Sequence, residues 1–170
     1  LRHRVAGTVL LSIVLAIFLT FFSIISLPSL LRLLNTDSIL MKDCLKYGYI
    51  VFGGISMAVC YNVSAAILRA LGDSRTPMKA IVISSIVNLI LDSLFIFLLG
   101  MGVEGAAIAT VISQFVSSVI CLNRLRKIEL IHLTRSDFEN DIIIYSDLFR
   151  NGLPMAFMNS ITAVGCMVVQ

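Results

Sequence analysis

An all-α, polytopic transmembrane helix bundle is the fold class that the sequence predicts, and three observations predict it. Hydrophobic residues fill 58% of the 170 positions and charged residues 14%, where soluble domains carry about 25% charged residues. Mean hydropathy is +0.99, so the solvent of this chain is largely lipid. Apolar runs long enough to cross a bilayer recur along the chain, and basic residues collect in alternate connectors between them.

A helix needs about 20 apolar residues to cross the hydrocarbon core. Segments of this kind run from Val5 to Leu34, Tyr47 to Leu71, Met78 to Leu99, Val103 to Leu122 and Gly152 to Gln170. The first, apolar from Val5 to Leu31, is too long for the core of a cleavable signal peptide and reads as a spanning helix with a kink at Pro28. "LLNTDSILMKD" connects it to the second. In the next connector, "GDSRTP", Gly72 suits the residue just past a helix end, and Thr76 suits an N-cap with Pro77 at the first helical position. "GMGVEG" then allows a tight reversal between the third and fourth segments. Asn123 to Arg150, with five acids and five bases, has soluble character and reads as a linker into the last helix. The sequence opens on Leu1 and its last apolar run reaches Gln170 with no helix-stop signal, so it reads as a segment of a longer protein.

Loops that face the cytoplasm carry an excess of Lys and Arg. Arg2, Arg4, Arg69, Arg75, Lys79, Arg124, Arg126, Lys127, Arg135 and Arg150 fall on one side of the predicted bundle, against Arg32, Lys42 and Lys46 on the other. The N-terminal end is therefore expected to be cytoplasmic. These bases are a topology signal, and no nucleic-acid partner is expected. His3 and His132 lie in polar segments and receive no role. Cys60, Cys121 and Cys166 sit inside apolar runs and Cys44 stands alone, which is neither a disulfide framework nor a metal-ligand spacing. No cofactor is expected.

The informative feature is an acid inside a membrane segment. "AIVISSIVNLILDSLFIFLL", Ala80 to Leu99, has Asp92 as its sole charged residue. Ser84, Asn88 and Asp92 are spaced by four and share one helix face, while Ile, Leu and Phe occupy the others. A carboxylate at a helix centre costs about 2.5–3.5 kcal/mol on insertion scales, and such residues turn toward a bundle interior or a wet cavity. They mark ion paths and proton relays, or they make a structural interhelical hydrogen bond.

If the hairpin turns at Met101, residues whose numbers sum to 202 lie at equal depth, which pairs Asp92 with Thr110 and Asn88 with Gln114. Ala106, Thr110, Gln114 and Ser118 form their own stripe, beside a row of small residues, Gly105, Ala109, Ser113 and Ser117, suited to close backbone approach. Carboxylate, amide carbonyl and hydroxyl are hard oxygen donors suited to a small hard cation. A proton could load and unload the same carboxylate. The candidate cation or proton site is thus Asp92, Asn88 and Thr110, with Ser84 and Gln114 as candidate cavity-lining residues.

The motifs "LRALGDSRTPMKA", "NLILDSLFIF", "GMGVEGAAIATVISQ" and "RNGLPMAFMNS", in this order from Leu68 to Ser160, resemble the multidrug and toxic compound extrusion (MATE) family. The resemblance implies a twelve-helix carrier of two six-helix lobes, of which this chain holds helices three to six (1–122), the cytoplasmic inter-lobe linker (123–147) and the start of helix seven (148–170). It implies exchange of Na⁺ or H⁺ for organic cations and other drugs across a plasma or bacterial inner membrane. The expected partners are the lipid bilayer, small cationic substrates and the remaining helices of the full-length chain. In family members with an acidic cation site in the N-terminal lobe, that site combines an acid on helix one, an Asn and an Asp four apart on helix five, and a Thr on helix six. Asn88, Asp92 and Thr110 match these positions, and the helix-one acid would precede Leu1.

A lipid-linked oligosaccharide flippase of the same superfamily is the alternative. Its cavity would carry more bases to meet phosphate, whereas Lys79 is the sole base between Met78 and Leu122. An intramembrane aspartyl protease needs two acids sharing a site, and the HExxH and GxSxG patterns are absent. No GxxxxGK[ST] sequence occurs, so an ion gradient is the expected energy source. A channel subunit needs no alternating access and stands as a further alternative.

Overall fold

The computed structural model describes residues 2–34 and 36–128, with positions 146, 150, 152, 154, 157, 158 and 161. In chain order its helices are α1 (Arg2–Leu33), α2 (Ser38–Gly53), α3 (Ile55–Ala70), α4 (Arg75–Ser93), a π-helical turn (Leu94–Leu98) that continues α4, and α5 (Gly102–Arg126). Ser12–His132 form one compact unit, which holds most of α1 and all of α2–α5. The other comprises Leu1–Leu11 and Leu133–Gln170, where the described residues are the start of α1 and helical positions from 146 on. Apart from those positions, the expected linker past Ile128 and the expected last helix lie outside the described residues.

Val5–Leu33, Arg75–Leu98 and Gly102–Arg126 are each long and apolar enough to cross a membrane, and α2 with α3, which meet at a 40° bend, are so only when taken together. Their outward surfaces are aliphatic and aromatic, as at Phe21, 69% exposed, and Leu89, 68% exposed. Side chains of this kind are at home in lipid. The α1 helix runs through Pro28 to Leu33 without a break.

The second span departs from expectation. A single helix from Tyr47 to Leu71 is predicted, yet helix begins at Ser38, where the Asp37 carboxylate accepts a hydrogen bond from the Ile39 N–H at 3.2 Å. Lys42, Asp43 and Lys46 are therefore helical rather than in a connector. The chain then bends between α2 and α3 at Gly54. A Cβ on Gly54 would lie 2.5 Å from Val111 Cγ2, so the missing side chain lets the bend seat directly on α5. Overpacking of such a contact costs about 1–3 kcal/mol. Gly54→Ala is accordingly expected to melt at a lower temperature than Gly53→Ala, where nothing lies within 4 Å of the added carbon. Equal melting temperatures of the two full-length variants in detergent would contradict the close approach.

Between α3 and α4 the reversal follows local chemistry. Gly72 takes φ +86°, its N–H donates to Arg69 O at 3.0 Å, and the Asp73 N–H donates to Leu68 O at 2.9 Å. This is the left-handed helix stop in which glycine avoids a Cβ penalty. The predicted N-cap, Thr76, is instead inside α4, and Asp73 does the capping. Its Oδ1 accepts from the Thr76 N–H at 3.0 Å and its Oδ2 from the Thr76 hydroxyl at 2.8 Å. Thr76 lies three positions past Asp73, the spacing at which a short carboxylate reaches forward to a free N–H of the first turn.

At the other end of α4 the backbone widens. Leu99 N–H donates to Leu94 O, five residues back, at 3.1 Å, and Met101 N–H to Phe95 O at 2.9 Å. Gly100 and Gly102, at φ +62° and +56°, then reverse the chain into α5. The α5 helix packs against α2, α3 and α4. Apolar attraction between helices is weak in lipid, so small residues and hydroxyls carry such packing. Gly105, Ala109, Ser113 and Ser117 are all buried along one row. The Ser118 hydroxyl, also buried, donates across to Met57 O of α3 at 2.7 Å.

Candidate functional site

The least exposed positions of α4 are Thr76, Pro77, Ala80, Ser84, Val87, Asn88, Leu91, Asp92 and, in the π-helical turn, Phe95. That three-and-four spacing is one helix face, and the helix that α4 packs against most is α5. Asn88 and Asp92 thus lie on the inward face. Asn88 Nδ2 and Asp92 Oδ1 are each shut off from solvent and have no hydrogen-bond partner among the described residues. A buried polar atom left unpaired costs about 1–3 kcal/mol. Two of them one turn apart, a donor and an acceptor, make this the most costly spot on the inward face.

Register follows from contact between the two helices. A Cβ on Gly105 would lie 2.8 Å from Phe95 Cβ, so these residues face each other, and numbers summing to 200 mark equal depth there. Counting back, Asp92 is level with Ile108, two residues or about 3 Å from Thr110 and six residues or about 9 Å from Gln114 at 1.5 Å per residue. The expected pairing of Asp92 with Thr110 is offset by about half a turn, and Gln114 falls away from the carboxylate. The π-helical turn accounts for the offset, because a wider turn advances less per residue than α-helix.

Thr110 is half-buried, and its hydroxyl donates to Ala106 O at 2.9 Å. That bond fixes the hydrogen on the helix's own carbonyl and leaves the oxygen lone pairs directed outward, the state in which a hydroxyl serves a cation. The Asn88 amide offers NH₂ to one side and C=O to the other, so rotation about its last bond converts donor into ligand. Ser84 is also half-buried, with its hydroxyl turned back to Ile81 O at 2.9 Å. The main-chain carbonyl of Gln114 accepts from the Ser117 hydroxyl at 2.8 Å and lies 2.9 Å from the Ser118 hydroxyl, which it shares with Met57 O. By register Ser84 lies two turns from Asp92 along α4, and Gln114 lies more than a turn from its level on α5.

Two charged contacts escaped the sequence reading. Lys46 of α2 pairs with Glu104 at the start of α5, both largely exposed. Arg124 Nε donates to Asp73 Oδ2 at 2.9 Å, tying the end of α5 to the α3–α4 connector. Asp73 is held at about 2, below the ordinary 3.8, by the Thr76 N–H, then the Arg124 guanidinium and the Thr76 hydroxyl. A depressed carboxylate stabilises the fold above its ordinary range and loses that contribution only as pH falls toward 2. Asp73 accordingly stays ionised at every physiological pH.

A helical bundle of membrane-spanning length, with a carboxylate oxygen on an inward face that has no partner among the described residues, is that of a polytopic membrane protein. Comparison with known proteins makes the class specific. The MatE family model matches residues 1–94. "Probable multidrug resistance protein YpnP" of Bacillus subtilis is 42% identical over 85 residues, which are 50% of this chain and 19% of that protein. A solved structure described as the outward-facing conformation of a multidrug resistance MATE family transporter superposes with TM-score 0.88 at 28% identity, over 98% of this chain and 37% of the other. The inward-facing structure so described gives 0.79 at 33% identity, over 85% and 33%. The chain belongs to the MATE family, whose members are transporters rather than enzymes. It spans about a fifth of the length of YpnP and about a third of the solved chains.

Proposed function

We propose that the full-length protein is a secondary active efflux transporter that exchanges Na⁺ or H⁺ for organic cations and other drugs by alternating access, with Asp92, Asn88 and Thr110 as its cation or proton site. The observation that carries this reading is the unpaired, solvent-free Asp92 Oδ1 beside the equally unpaired Asn88 Nδ2. A group that must bind and release a small cation cannot be permanently neutralised by a fixed partner, and burial there is tolerated because the ligand itself supplies the missing bond. The multidrug descriptions of YpnP and of the superposed structures support the substrate class. Substituting Asp92 tests it, with the outcome developed in the Discussion.

Exchange also needs an orientation. In this reading Arg75 faces the cytoplasm and Met101 the outside, since bases gather at one end of α3, α4 and α5 and the Gly100–Gly102 reversal lies at the other. Single cysteines at positions 75 and 101, in a protein without its native cysteines, are expected to react with an impermeant thiol reagent from opposite sides. Reaction of both from the same side would overturn the hairpin's membrane crossing.

Thr110→Ala removes one neutral oxygen from several and is expected to weaken coupled transport by about tenfold or less, equivalent to one hydrogen bond of about 1 kcal/mol. Gln114→Ala should cost less than Thr110→Ala. The reverse order of the two variants in a transport assay would move the site one turn along α5.

A further inference from the structure

We propose that Arg75 and Lys79, with the aliphatic row that follows them along α4, bind an anionic phospholipid, the two bases taking the headgroup phosphate and the row taking an acyl chain. This goes beyond the transport reading and uses it only for the leaflet that supplies the lipid.

Charge at this end of the bundle is out of balance. Arg69, Arg75, Lys79, Arg124, Arg126 and Lys127 gather at the ends of α3, α4 and α5, where Asp73 is the sole acid among the described residues. Asp73 is already engaged by Arg124 and Thr76. Arg75 and Lys79 stand four apart on one helix, a spacing at which like charges repel, and no acid in the first turn of α4 offsets them. A phosphate between the two relieves that repulsion.

Depth singles out this pair. Lys79 lies four residues or about 6 Å further into α4 than Arg75, and its neighbour Ala80 is fully buried with Leu68 of α3 and Cys121 of α5. Lys79 is therefore level with apolar packing, and from there a long base reaches back to the headgroup layer.

The face names the partner. Arg75, Lys79, Val82, Ile86 and Ile90 follow at steps of four, three, four and four, on the side of α4 opposite the inward face of Ala80, Ser84, Asn88 and Leu91. Helices meet one another in a membrane through small residues and hydroxyls, as α5 does along Gly105, Ala109, Ser113 and Ser117. The row on α4 is branched and aliphatic instead, which suits an acyl chain. From Lys79 to Ile90 it runs about 16.5 Å at 1.5 Å per residue, close to half of the roughly 30 Å hydrocarbon core. A carboxylate from the acids between Glu129 and Asp147 would meet the charge but leave this row unfilled.

The purified full-length protein, stripped of lipid in detergent, tests this through its thermal stabilisation by dioleoyl phosphatidylglycerol and by dioleoyl phosphatidylcholine. The wild type is expected to be stabilised at a much lower concentration of the anionic lipid. Each base near the headgroups favours an anionic lipid about fivefold, so Arg75→Gln with Lys79→Gln should cut that preference about twenty-five-fold. Arg126→Gln with Lys127→Gln removes the same charge away from the aliphatic row and should leave most of the preference in place. Equal losses in the two double variants would mean a diffuse field and overturn the site. A wild type without preference would mean that the chain's own acids neutralise the pair, and stabilisation by inorganic phosphate as strong as that by the lipid would mean a free anion; either result overturns the proposal. Should the first double variant not fold, Lys79→Gln alone is expected to lose about fivefold and Lys79→Arg nothing, and an unchanged preference in Lys79→Gln would contradict the assignment. Nothing in this measurement involves transport, so its failure would leave the exchange reading standing.

Discussion

Asp92→Asn in the full-length protein is expected to abolish drug resistance in cells while leaving the protein inserted and abundant. The exchange keeps the shape of the side chain and removes the charge. Neither partner nor solvent reaches Asp92 Oδ1, so no hydrogen bond within the described residues is lost with it. Folding should even gain slightly, because a neutral amide is less costly than a carboxylate at membrane depth. Loss of function with retained or raised stability is the signature of a functional residue that the fold does not need. Resistance at the wild-type level in cells carrying well-expressed Asp92→Asn would sink the assignment, and loss of the protein itself would make Asp92 structural.

Gly105→Val is expected to be as damaging for the opposite reason. Any Cβ at this position would lie 2.8 Å from Phe95 Cβ and 3.0 Å from Met101 Cβ. Both are root atoms of their side chains and cannot swing aside, so α4 and α5 would have to part. The overpacking cost is about 1–3 kcal/mol at least, paid at the helix contact that sets the depth of Asp92. Detergent-purified Gly105→Val should show a lowered melting temperature, and transport should fall with it. A variant that melts and pumps as the wild type does would mean that these two helices do not touch at Gly105.

The contrast between the two residues also explains what could be read in advance. The spans were legible because a bilayer demands long apolar runs, and the inward face of α4 was legible because Ser84, Asn88 and Asp92 recur every four residues in an otherwise aliphatic segment. The row Gly105, Ala109, Ser113 and Ser117 was legible as a packing surface, and all four are buried. The bend at Gly54 was hidden, since two glycines in an apolar run signal a bend only when Val111 of another helix is seen to fill the space. The π-helical turn after Asp92 was hidden too, because "LFIFL" has nothing to distinguish it from ordinary helix. Missing that turn cost the pairing argument two residues of register. Arg124 was counted among the bases that set topology, and Asp73 only as part of a turn. Their union, across 51 residues of sequence, is a product of packing that no local pattern announces.

That packing also separates two acids that composition treats alike. Asp73 is surrounded by donors and is fixed in its charge, whereas Asp92 Oδ1 has no hydrogen-bond partner among the described residues.

The most direct test of the account is gradient-driven transport by the purified full-length protein in liposomes, with an imposed Na⁺ or proton gradient as the sole energy source and a fluorescent organic cation as cargo. The wild type is expected to concentrate the dye against its gradient. Asp92→Asn is expected to exchange dye for dye without a gradient and to concentrate none. Concentration of the dye by Asp92→Asn at the wild-type rate would contradict the assignment of Asp92 as the residue that couples the ion to the drug.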